Sequence, residues 1–124
     1  VADLDRAATG LSRGRVLAAL LARGPAAVRP DAFALSRDGR TAFEVGPVVA
    51  ATEAAVAETF GEVLAALPAT AAVVVDAVEG HPAFAAVLAD AGFSPERPFL
   101  RMARGRGPAA DVSRLVAVAG PELG

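Results

Sequence analysis

The chain lacks cysteine, lysine, tyrosine and tryptophan, and it has one histidine, His81, among its 124 residues. Without cysteine it has no disulfide, no thiolate nucleophile and no cysteine-based metal site. A single imidazole excludes every site that needs several histidines, so we expect no metal centre. The missing tyrosine removes the phenol as a proton donor.

Strong charge of either sign is also missing, because 12 arginines stand against 14 acidic residues and the net charge is −2. A nearly neutral chain has no basic field for nucleic acid and no basic helix for an anionic membrane. No apolar run reaches the ~18 residues that a membrane helix needs, and the first residues show no signal-peptide pattern. We therefore expect no nucleic acid and no membrane as partners, and a cytoplasmic location.

Hydrophobic residues make up 54% of the chain and charged residues 21%, which excludes a disordered polymer. At about 100–200 residues per domain, the length predicts a single domain over residues 1–124. Ser12 is expected to cap a first helix that stops at Gly24-Pro25. Asp38-Gly39 is a strong turn signal, and it predicts an antiparallel hairpin over residues 31–46.

Thr52 is a good cap for a second helix, which the apolar spacing carries to Pro68. The apolar, largely β-branched run at 71–75 predicts a strand covered on both faces, and such strands are usually parallel and central. Pro82 can begin a third helix, which Gly92 would end. Two further strands are expected at 99–103 and 115–119. This order predicts an α/β protein with a mixed sheet and helices on its faces.

Six short segments span almost the whole chain: Asp5-Arg6-Ala7-Ala8-Thr9-Gly10, Val45-Gly46-Pro47-Val48-Val49-Ala50, Val74-Val75-Asp76, Ala91-Gly92-Phe93, Arg101-Met102 and Ala119-Gly120-Pro121-Glu122-Leu123-Gly124. In their order and spacing they resemble the GNAT acetyltransferase superfamily. More specifically, they resemble the C-terminal acetyltransferase-like domain of bacterial two-domain GNAT proteins. The resemblance implies splayed central strands with helices on both faces. It also implies that an upstream domain of similar fold precedes this one in a longer protein.

The resemblance further implies an N-acetyltransferase, which transfers acetyl from acetyl-CoA to a small-molecule amine. In that fold the pantetheine arm lies between the two splayed strands like an extra strand, and the pyrophosphate binds at the N-terminus of the next helix. The family pattern Val-x-Pro, then Arg/Gln-x-x-Gly-x-Gly/Ala, is met at Val45, Pro47 and Ala55. The coenzyme contacts that it implies are Val45, Val48, Val49, Ala50, Thr52 and Ala55.

Three departures from the family pattern keep a second hypothesis open. Ala50 replaces the basic or amide residue, and Glu53 replaces the first glycine of the turn. A carboxylate at that position repels phosphate and competes for the same helix-end N–H groups. Leu88 stands where a tyrosine often protonates the leaving thiolate. The alternative is a non-catalytic accessory or dimerisation domain, with a homodimer or an upstream GNAT domain as its partner.

Asp76 and His81 are the candidate catalytic residues, as groups that help to deprotonate the amine. Asp76 ends the central strand, where open α/β sheets place ligands, but a cap or turn former would occupy the same position. His81 is equally explained as a cap-like residue before Pro82. The arginines at 101, 104 and 106 form a basic cluster that suits the 3′-phosphate of CoA, a partner domain or water alone.

Overall fold

The fold is a five-stranded mixed sheet with helices on both faces, and the computed structural model describes residues 1–102, 104–107 and 109–123. In chain order the elements are α1 Ala2–Thr9, α2 Gly14–Leu21, β1 Ala26–Val28, β2 Ala32–Asp38, β3 Phe43–Ala50, α3 Glu53–Ala66, β4 Val73–Val74, α4 Pro82–Asp90, a 3₁₀ turn Val112–Arg114 and β5 Leu115–Ala117. No helix in the described part of the chain is long and apolar enough to cross a membrane.

The predicted hairpin is confirmed as β2 and β3, which pair antiparallel from Ala32↔Ala50 to Asp38↔Phe43. β1 was not predicted, and it pairs antiparallel with the other side of β2. β1 has only three residues and follows a Gly-Pro stop, so it gives too short a pattern to be seen in the sequence. The sheet order is β1-β2-β3-β4, with β5 also on β3.

The two central strands separate early, as the resemblance implies. β4 runs parallel to β3 over only two pairs, Phe43↔Val73 and Glu44↔Val74. Further along the same edge of β3, β5 pairs antiparallel through Val48 and Val49. We call the space between β3 and residues 76–78 the central gap, and β5 lies in it.

Each face of the sheet carries two helices, which confirms the predicted layers. On one face α3 and α4 meet at Phe60, whose buried ring stands edge-to-face with Phe84 at 5.1 Å between centroids. On the other face α1 and α2 cover the sheet, and Leu17 and Leu20 of α2 join the core there. Burial of these apolar stripes on two sides of one sheet is what stabilises the layered fold.

Two strand predictions need correction. β4 runs parallel to β3 as expected, but it is two residues long and only partly buried, with Val74 41% exposed, so the burial on both faces expected at 71–75 is wrong. β-branched residues suit a half-exposed edge strand as well as a buried one. The composition of residues 71–75 alone therefore does not distinguish the two kinds of strand. Residues 99–102 join no strand ladder, so that prediction is wrong for them, and Ala103 lies outside the described residues. β5 is present but ends at Ala117.

The first helices also differ from expectation. Arg13, not Ser12, takes the N-cap position of α2. The polar segment before it forms α1, which no apolar stripe had indicated and which ends at Gly10 in the left-handed conformation. Thr52 does cap α3, since its hydroxyl accepts a hydrogen bond from the Ala55 amide at 3.2 Å.

Candidate functional site

The central gap is filled by the chain's own backbone. On one side β5 pairs with β3 at Val48↔Ala117 and Val49↔Leu115. On the other side the Val78 amide donates to the carbonyl oxygen of Val116 at 2.8 Å, and the Val118 amide donates to that of Asp76 at 3.0 Å. β5 is therefore hydrogen-bonded across the whole width of the gap, as an inserted strand would be.

A glycine permits this close approach. A Cβ atom built on Gly46 would lie 1.9 Å from the backbone oxygen of Val118, which is far inside van der Waals contact. Only a residue without a side chain lets the chain after β5 cross β3 at this point. Gly46 belongs to a segment that carries the family resemblance, but the sequence gives no sign of what crosses it.

The residues implied as pantetheine contacts border this filled gap. Val45, Val48, Val49 and Ala50 are all buried in β3. The backbone of Val48 and Val49 runs between β2 on one side and β5 on the other. The strand position that the resemblance assigns to pantetheine is thus held by residues 115–117.

The resemblance implies that the N-terminus of α3 binds the pyrophosphate, but part of its hydrogen-bonding capacity is already taken by the chain itself. The Ala55 amide, one of the four N–H groups that a helix start leaves unpaired, donates to the Thr52 hydroxyl oxygen at 3.2 Å. Glu53 sits exposed in the first turn, where its carboxylate complements the helix dipole. These contacts leave fewer free N–H groups for an anion, and they place a negative charge beside those that remain.

His81 holds the N-cap position of α4 without a side-chain cap hydrogen bond. It lines a cavity of about 40 Å³ between α3 and α4, whose walls are Glu53, Val56, His81, Ala83, Phe84, Val87 and Val116. A cavity of this volume holds only a few water molecules. It is too small for a coenzyme arm.

Asp76 lines a different cleft, of about 200 Å³, which also contains Glu44, Arg97, Phe99 and Glu122. Burial raises the pKa of Asp76, and the carboxylates of Glu44 and Glu122 raise it further, while Arg37 and Arg97 oppose them. The structure therefore places the two candidate catalytic residues in separate cavities, and their catalytic roles stay predictions.

Arg37 organises one wall of this cleft. Its guanidinium bonds to Glu44 and, at 2.7 Å, to Glu122. Burial lowers the pKa of Arg37, but its pairing with Glu122 and Glu44 outweighs this and raises it overall. Glu44 and Glu122 are far apart in the sequence, so no motif spacing predicts that both bind the same arginine. Among the described residues no three acidic or imidazole side chains are grouped to hold a metal ion.

The raised pKa of Asp76 predicts a pH-dependent gain when the carboxyl is removed. The folded chain holds this proton more tightly than the unfolded chain, so ionisation of Asp76 above the usual carboxyl pKa of about 3.9 costs stability. Asp76→Asn should unfold at a higher temperature than the parent at pH 7 and lose that advantage near pH 3. Thermal unfolding at both pH values measures it, with the exposed Asp31→Asn as the control for loss of one charge. A lower melting temperature at pH 7 would contradict this prediction.

The family model of the acetyltransferase (GNAT) domain matches residues 1–117 of the chain. This match covers almost the whole sequence, and the chain therefore belongs to the GNAT acetyltransferase domain family. Searches of curated proteins and of solved structures gave no significant match. The layered sheet and its separated central strands agree with membership of this family. The two-domain context and the cytoplasmic location stay predictions.

Proposed function

We propose that this chain is a non-catalytic GNAT domain, an accessory module that keeps the fold of the family without using its coenzyme site. The observation that carries the proposal is β5 in the central gap, hydrogen-bonded to Val78 and Asp76 and paired with Val48 and Val49. GNAT domains generally bind acetyl-CoA through this gap. Here a bound arm would first have to displace those backbone hydrogen bonds.

The N-terminus of α3 supports the same conclusion. A pyrophosphate needs several free N–H groups and close backbone approach at a helix start. Thr52 already occupies the Ala55 amide, and Glu53 adds both a side chain and a negative charge. Thr52 and Glu53 therefore do not fit the pyrophosphate that the family pattern places at this helix start.

Leu88 is the third support. It is partly buried and packs against the core cluster beneath α3 and α4. An aliphatic side chain has no proton to donate, so the position where the family often carries its acid contributes packing alone. An accessory domain of this kind would act by binding a partner, and an upstream GNAT domain is the partner that the resemblance implies.

The test is thermal unfolding of the full chain in about 1 mM acetyl-CoA. A ligand that binds only the folded state at ten times its Kd stabilises it by roughly 1.4 kcal/mol, which is about 5 °C for a chain of this size. We expect no shift for the parent chain. Glu53→Gly, which restores the glycine of the family turn, is the matched variant. A clear shift in the parent chain would overturn the proposal.

One observation favours a second candidate, N-acetylation of a small amine. The raised pKa of Asp76, in a cleft of about 200 Å³, suits a group that accepts a proton from an ammonium ion. Release of free CoA from acetyl-CoA in the presence of an amine panel would test it. Turnover that falls in Asp76→Ala would establish this function in place of the first, and His81→Ala is the parallel variant for the other candidate.

A further inference from the structure

Residues 97–106, which we call the basic arm, concentrate positive charge. They contain Arg97, Arg101, Arg104 and Arg106 and no acidic residue, so their net charge is +4. The other 114 residues have 8 arginines and 14 acidic residues, which gives −6. The chain is therefore a basic segment attached to an acidic body, although its total charge of −2 conceals this.

The basic arm is also apolar and exposed. Leu100 is 83% exposed and Met102 is 84% exposed, and Phe99 is more than half exposed. The backbone of residues 94–102 makes no hydrogen bond within the part of the chain that the structure describes. Residues 99–102 have strand-like composition but join no ladder, so their backbone groups are open to pairing with the edge of another sheet.

The arginines of the arm make no salt bridge among the described residues, where the ion pairs involve Arg13, Arg23, Arg29, Arg37 and Arg114. Arg97 acts on Asp76 only through its charge across the cleft. Arg97 lies over the Phe99 ring, 5.0 Å from its centroid, which is a contact within the arm itself. The arm thus offers both charge and apolar area to another surface.

The opposite side of the sheet carries a surface with the complementary properties, which we call the β1 edge. β1 pairs only with β2, so its outer edge is open within residues 1–102, 104–107 and 109–123, and Val28 on it is 53% exposed. Arg29 follows β1 and pairs with both Glu58 at 3.6 Å and Glu62 at 3.0 Å. Two carboxylates that share one guanidinium leave an excess of negative charge beside the open edge.

The arm cannot be matched to this edge within one chain. Phe99 and Arg97 line the cleft together with Val74 of β4. β4 lies three strand positions from β1, which is about 14 Å at the usual strand spacing. The arm and the β1 edge therefore lie at opposite ends of the sheet, and they meet between copies.

We propose that the basic arm adds as a strand to the β1 edge of a second copy, and that the partner's arm does the same in return. Strand addition gives backbone hydrogen bonds, and alternate side chains supply specificity. Leu100 and Met102 on one face of the added strand cover Val28, and Arg101 on the other face meets Glu58 and Glu62. Two equal contacts close a two-fold dimer. The β1 edge lies at the other end of the sheet from the central gap, so variants at Glu58 and Glu62 test the dimer independently of acetyl-CoA binding.

Sedimentation equilibrium of the full chain over a concentration series tests the proposal. We expect a reversible dimer that weakens in 1 M salt, because the screening length falls from about 8 Å to about 3 Å. Arg101→Glu/Arg104→Glu should raise the dissociation constant about tenfold or more. The matched control is Arg6→Glu/Arg15→Glu, an equal charge change at exposed arginines of α1 and α2 outside the arm, which should leave the constant unchanged.

Reversing the charges on both surfaces tests whether the arm contacts Glu58 and Glu62. Glu58→Arg/Glu62→Arg should weaken the dimer of that variant, and mixing it with the arm variant should restore a mixed dimer. A chain that stays monomeric throughout the series overturns the proposal, and so does a dimer that survives both paired variants. A monomeric chain that sediments with phosphatidylserine vesicles, but not after Arg101→Glu/Arg104→Glu, would instead make the arm a membrane contact.

Discussion

Replacing Gly46 with alanine should lower the unfolding free energy by about 3 kcal/mol, at the upper end of the cost of forcing extra atoms into a packed site. The added methyl would lie 1.9 Å from the Val118 backbone oxygen, and backbone cannot rotate away as a side chain can. The melting temperature should fall by roughly 12 °C. Amide exchange at Val78 and Val118 should accelerate, because their hydrogen bonds hold the chain of β5 in the central gap.

Gly61→Ala is the matched control, because it adds the same methyl group in the middle of α3. A Cβ atom at Gly61 meets nothing within 4 Å. Alanine is better than glycine in a helix interior by about 1 kcal/mol, so this variant should melt a few degrees higher than the parent. If the two variants shift the melting temperature in the same direction, the crossing at Gly46 is not as tight as the structure shows.

The elements that the sequence predicted correctly are those with local signals. The β2–β3 turn depends on Asp38-Gly39, and α3 depends on a cap and a periodic apolar face that lie within one segment. α4 depends in the same way on Pro82 and Gly92. Each of these signals lies within a few neighbouring residues, so it can be recognised without knowledge of the tertiary structure.

The filling of the central gap could not be predicted, because it depends on pairing between distant segments. Val48 and Leu115 are neighbours on adjacent strands, and nothing in either segment specifies that register. The resemblance implies coenzyme contacts at Val45, Val48, Val49 and Ala50; the structure places these residues beside the gap, and their binding role stays a prediction. What enters the gap depends on the last ten residues of the chain, which the sequence shows only as a short strand and a tail.

Where the two candidate catalytic side chains lie relative to each other could not be predicted, for a related reason. Asp76 and His81 are five residues apart, and the sequence does not show whether they share a pocket. The chain between them turns from the end of β4 to the start of α4, so each side chain reaches a different cavity. The partners that raise the pKa of Asp76, Glu44 and Glu122, come from β3 and from the closing segment.

Replacing Asp5 with alanine should cost about 3–5 kcal/mol, because it removes the carboxylate that pairs with the buried guanidinium of Arg13. The Asp5 side chain is 1% exposed and that of Arg13 is 8% exposed, and two hydrogen bonds of 2.8 and 2.9 Å join them. Arg13 also donates to the Leu123 carbonyl at 3.0 Å, so the pair secures the segment after β5. We expect the melting temperature to fall by roughly 12–20 °C.

Two variants separate the loss of a buried charge partner from the loss of any ion pair. Arg23→Ala breaks an exposed pair with Asp38 and should cost less than about 1 kcal/mol. Asp5→Leu/Arg13→Met replaces the buried pair with apolar side chains, and it should recover most of the stability that Asp5→Ala loses. Denaturant unfolding of the three variants measures these differences. A double variant no more stable than Asp5→Ala would show that the other contacts of Arg13, among them its hydrogen bond to Leu123, matter more than the charge pairing.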